Sequence, residues 1–136
     1  MTRRMLIALA LSGVIAACGG DGEGTVPRVT GPVDPQAADR AVLALCRIAA
    51  EHADDREAAD ALFLDQAHEL LHAIAAAAEQ ADRAVAADLL TAKQRVEADL
   101  SADELPTGFA EHVRALVSAT GAALEAIGLT APACPT

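Results

Sequence analysis

Apolar residues recur along most of this chain at helical spacing. From Gln36 to Leu105 there is neither glycine nor proline, so breaks there must be read from polar clusters. Asp34-Pro35 predicts a helix start, with an acidic N-cap and proline at the first helical position. A first helix is expected over 35–53, with Ala38, Val42, Leu45, Cys46 and Ala49 on one face. Asp54-Asp55 is a junction. A second helix over 56–79 carries Ala59, Leu62, Phe63, Leu70, Leu71 and Ile74 in a wide apolar arc. After a turn near Gln80-Ala81-Asp82, a third helix over 83–100 places Val85, Leu89, Ala92, Val96 and Leu100 at spacings of four, three, four and four. Pro106 breaks the segment 101–108. A fourth helix over 108–127 packs Phe109, Val113, Leu116, Val117, Thr120, Leu124 and Ile127, and Gly128 terminates it.

Helices of similar length joined by short connections predict an all-α domain over 35–136, an antiparallel up-down four-helix bundle. The alternative is that the second and third helices form one long helix that pairs with another protomer. Composition supports helices over a sheet, because alanine dominates, Phe63 and Phe109 are the only aromatics, and Tyr and Trp are absent. Alanine buries little area, so the core is thin.

The N-terminus breaks the pattern. Arg3 and Arg4 precede an apolar run from Met5 to Ile15 and the small residues Ala16-Ala17, the layout of a secretory signal. The run is shorter than the roughly 20 residues a transmembrane helix needs. Ile15-Ala16-Ala17-Cys18 resembles the lipobox of bacterial lipoproteins. That resemblance implies cleavage of residues 1–17, a diacylglycerol on the Cys18 thiol and a further acyl chain, such as palmitate, on its amino group. Two or more chains give stable anchoring where one gives marginal binding. Residues 18–34 then form a flexible linker containing "GGDGEGTVPRVTGPVD". The expected location is the bacterial cell envelope, extracytoplasmic, with the membrane as a partner through the anchor.

Net charge narrows the partners. The chain carries −10, and loss of Arg3 and Arg4 with the signal leaves −12. Such a surface repels phosphate backbones, so nucleic-acid binding is not expected. With Cys18 committed to lipid, Cys46 and Cys134 remain. In an oxidising compartment this even remainder favours a disulfide, with free or metal-binding thiols as the alternatives.

Residues 68–72 read HELLH and resemble the H-E-x-x-H signature of zinc metalloproteases. There, two histidines one turn apart hold a metal and the glutamate polarises the attacking water. The resemblance ends at those five residues. The metzincin continuation needs Gly and His where this chain has Ala75 and Ala78, and a thermolysin-like glutamate finds only Asp88 and Glu97, without that family's downstream motif. In projection at about 100° per residue, His68 and His72 flank or oppose the apolar arc, Asp65 and Glu79 share their stripe, and Glu69 points away.

Three readings of that stripe follow: a solvated polar face, a Zn²⁺ or Cu²⁺ site built on Asp65, His68 and His72 and completed from elsewhere, and a small zincin-like hydrolase. No catalytic set is assigned. His52 ends the first helix and His112 borders the apolar face of the fourth. Arg83, Lys93, Arg95 and Arg114 read as solvated faces with occasional i,i+4 pairs. Two functions compete with hydrolysis, a helical module that binds an unidentified partner protein and a metal-binding lipoprotein. What faces His68 and His72 separates them.

Overall fold

The computed structural model describes residues 32–136, so the signal segment, Cys18 and the linker through residue 31 lie outside the described residues. Among the described residues there are five helices and no strand: α1 (Pro35–Glu51), α2 (Arg56–Gln66), α3 (His68–Ala81), α4 (Arg83–Leu100) and α5 (Phe109–Ala126). The all-helical expectation holds. The count of four becomes five, because the helix expected over 56–79 is divided at Ala67.

Three helix starts use the aspartates at the expected junctions. Asp34 caps α1 by accepting from the Ala37 amide at 2.7 Å, ahead of Pro35. Asp55 accepts from Ala58 at 3.0 Å, and Asp82 accepts from both Ala84 and Val85 at the start of α4. Each aspartate satisfies amides that have no intrahelical partner. At the other end, Gly128 adopts φ 80°, where a side chain would be strained. The Gly128 and Leu129 amides then bond back to Glu125 and Leu124, a Schellman closure of α5.

The division at Ala67 is a bend, not a loop. Its amide still donates to Phe63 and its carbonyl accepts from Leu71, at 3.0 and 2.9 Å. Its φ of −119° departs from the helical value near −63°, which rotates α3 relative to α2. Alanine is the strongest helix former, so residue type does not cause the bend. Ala67 is buried in the core, which points to packing as the cause.

The core is one cluster. Phe63, Phe109, Leu45, Ile48, Leu71, Ile74, Leu89, Leu116 and Leu124 are its large fully buried members, joined by alanines on every helix. α5 packs against α1, α3 and α4, and α4 also packs along α3. This last contact positions the candidate site. Cys46 of α1 is bonded to Cys134 in the C-terminal tail, with Cα atoms 5.4 Å apart and a sequence separation of 88. The clamp holds the tail, whose Leu129 and Ala131 lie against the core. Among the described residues no helix is long and apolar enough to cross a membrane.

Candidate metal centre

His68 opens α3 and His72 follows one turn later, so their rings leave the same side of the helix. The rings meet edge to face, with centroids 5.1 Å apart, and His68 also rests edge-on against Phe63 at 5.9 Å. Across the α3–α4 contact stands Glu97. Its Oε1 lies 3.0 Å from His68 Nε2. One ligand atom from each of His68, His72 and Glu97 falls within 4.8 Å of the others. Two imidazoles and a carboxylate converging at that span match the donor types and number of a three-ligand Zn²⁺ site, and imidazole also suits Cu²⁺.

The bend at Ala67 decides which carboxylate takes part. On one continuous helix Asp65 shares the stripe of the two histidines. With α3 rotated relative to α2, Asp65 is not in the cluster. It lines a shallow groove with Ala37, Arg40, Leu64 and Glu69 instead. Glu79 is exposed and also outside the cluster. The third donor comes from a different helix, as a metal reading of the pair requires.

Glu69 does not occupy a catalytic base's place between the histidines. Its carboxylate is 84 % exposed and lies 3.3 Å from His68 Nδ1, on the ring edge that faces away from Glu97. A proton on Nε2 serves Glu97, and a proton on Nδ1 serves Glu69. If Nε2 held a metal ion, the Nδ1 contact with Glu69 would remain available to orient the ring, as a carboxylate on the far nitrogen of a ligand histidine does.

Electrostatics favour an available lone pair on His72. Partial burial lowers its pKa below 6.5, the charges of Lys93 and His68 lower it further, and Glu97 and Glu69 oppose the change. The imidazole is therefore held toward its neutral form at pH 7, the form that ligates.

Lys93 corrects the sequence expectation most sharply. Read as part of a solvated face, its side chain is 2 % exposed, and its ammonium bonds Glu97 Oε1 at 2.5 Å. The available signal was register: Lys93 lies four residues after Leu89 and three before Val96, on the inward side of α4. Arg114 does make an exposed local pair, with Glu111, and the exposed Arg95 reaches back to Asp99. His112 bonds the nearly buried carboxylate of Asp99 and ties the start of α5 to the end of α4. His52 caps α1 through its backbone and joins no cluster. No buried side-chain nitrogen or oxygen lacks a partner among the described residues.

No protein family model, curated protein or solved structure matches the chain. The functional reading therefore rests on the site itself.

Proposed function

We propose that this chain is an extracytoplasmic lipoprotein, anchored through Cys18, whose helical domain binds a divalent transition-metal ion, Zn²⁺ or Cu²⁺, at His68, His72 and Glu97. The carrying observation is the convergence of three donors from two helices within 4.8 Å. A polar stripe alone supplies two histidines; here a carboxylate from a second helix joins them. Support for the anchor comes from the lipobox resemblance and the glycine-rich linker after it. In this reading the two cysteines of the folded part are spent on the disulfide, leaving nitrogen and oxygen to hold the ion. Helices α1, α2 with α3, α4 and α5 form an up-down bundle around the shared core, and the linker holds that bundle off the membrane.

The test is calorimetric titration of the purified full chain in detergent micelles with Zn²⁺ and with Cu²⁺, beside a His68→Ala/His72→Ala variant. The proposal requires one ion per chain at about micromolar affinity or better, about −8 kcal/mol, and loss of that binding in the variant. Equal weak binding by both proteins overturns it.

A second reading, docking of a partner protein, has one observation in its favour. Leu64 is 55 % exposed and lies in the groove with Ala37, Arg40, Leu70 and Ala73. An apolar side chain lining a concave surface suits a partner's side chain more than bulk water does.

A further inference from the structure

A buried ammonium beside a proposed metal site needs an explanation, because like charges repel and protein interiors screen them poorly. Lys93 extends from α4 into the α3–α4 contact and is sealed from water, at 2 % exposure. A surface lysine escapes a nearby cation by swinging its head into solvent, and a long stem usually allows it to do so. Lys93 has no such exit. Among the described residues its ammonium pairs with a single carboxylate, that of Glu97. The oxygen it bonds, Oε1, is the same one that His68 Nε2 reaches at 3.0 Å. Glu97 therefore has two claimants, the lysine within the bundle and any ion held by the histidines.

We infer that Lys93 is a resident competitor for the metal site, an internal cation that weakens the hold of Glu97 on the ion and keeps the site exchangeable. This rests on the metal-binding reading above and adds a regulatory element to it. When the ion takes Glu97, the ammonium loses part or all of that carboxylate while still buried, a costly arrangement for a charge. Lys93 and His68 both reach Oε1, so an ion that leaves gives that oxygen back to them. Loading and release thus exchange one cation for another on a fixed carboxylate. The chemistry suits a protein that passes an ion on or buffers it better than one that keeps it as a permanent staple. A purely structural role for Lys93, neutralising Glu97 to hold α4 in place, makes a different demand. In that case removing the charge leaves metal affinity unchanged or weakens it, because Glu97 is less well placed.

The test compares Zn²⁺ affinity in the full chain, wild type against Lys93→Met, which keeps the stem's length and apolar character but removes the charge. Circular dichroism establishes that each variant is folded, and Lys93→Gln replaces Lys93→Met if the latter is not. Tighter binding by about tenfold or more, with slower release of Zn²⁺ to a chelator, is the expected result. Equal affinity in wild type and variant, or weaker binding in the variant, overturns the competitor role and leaves the metal site standing. Absence of binding in wild type and both variants overturns the metal-binding reading itself, and the competitor role with it.

Discussion

His68 and Glu97 are 29 positions apart in sequence, and the packing of α3 on α4 brings His68 Nε2 to 3.0 Å from Glu97 Oε1. This contact brings a third potential donor to the two histidines of the motif. It also makes a direct prediction about which carboxylate matters. Glu97→Gln, whose amide oxygen can still accept from Lys93, is expected to weaken Zn²⁺ binding by about tenfold or more. Asp65→Asn, in the groove on the other side of the Ala67 bend, is expected to leave it unchanged. Parallel titrations of the two variants check this, and the reverse order of effects contradicts the site.

His72 titrates below an ordinary histidine, because partial burial and the charges of Lys93 and His68 disfavour its cation. In the metal-free chain, its ring carbon resonances followed by NMR against pH should give a midpoint below 6.5. The sign for stability follows. As pH falls through 6.5, the unfolded chain takes up this proton before the folded one does, so His72 lowers stability on the acid side and not at neutral pH. A His72→Gln variant should lose less stability than wild type between pH 7.5 and pH 5.5, as read from urea midpoints. Equal losses in the two proteins contradict the lowered pKa.

The Cys46–Cys134 bond closes a long loop and fastens the tail over α1. Its removal in a Cys46→Ser/Cys134→Ser variant is expected to cost about 2–5 kcal/mol, the usual range for a native disulfide in a small domain. The alanine-rich core leaves little reserve against such a loss. Denaturant unfolding of the two proteins measures the difference. A change below about 0.5 kcal/mol, the range of an ordinary surface substitution, shows that the clamp is not needed.

Asp82 sets the start of the helix that carries Lys93 and Glu97, accepting from two amides at once. Asp82→Ala should therefore cost about 1 kcal/mol of stability. Asp82→Asn, which keeps an accepting oxygen, should recover most of it. Chemical denaturation of the pair distinguishes loss of the cap from loss of the charge.

Much of this fold is legible in the chain because its punctuation is local. Asp34-Pro35, Asp55, Asp82 and Gly128 each act on amides or carbonyls within a few residues, and the spacing of Leu89, Val96 and Leu100 follows from helix geometry alone. The bend at Ala67 leaves no such mark. An alanine flanked by helix formers gives no reason to break, and the departure in φ is visible only where Ala67 meets the core. That single bend explains why Asp65 looks aligned with the histidines in projection and is not. Glu97 and Lys93 were hidden for a related reason: a charged i,i+4 pair ordinarily faces water, and only the packing of α3 on α4 turns this one inward. The HELLH histidines are readable from the sequence, while the carboxylate beside them lies on another helix.

Electron paramagnetic resonance of the full chain loaded with one equivalent of Cu²⁺ tests the central claim most directly, because the spectrum reports the atoms that hold the ion. With His68, His72 and Glu97 as ligands, the spectrum should show coupling to two imidazole nitrogens. That coupling should disappear in the His68→Ala/His72→Ala variant. A spectrum without imidazole coupling, or one identical in wild type and variant, contradicts the site.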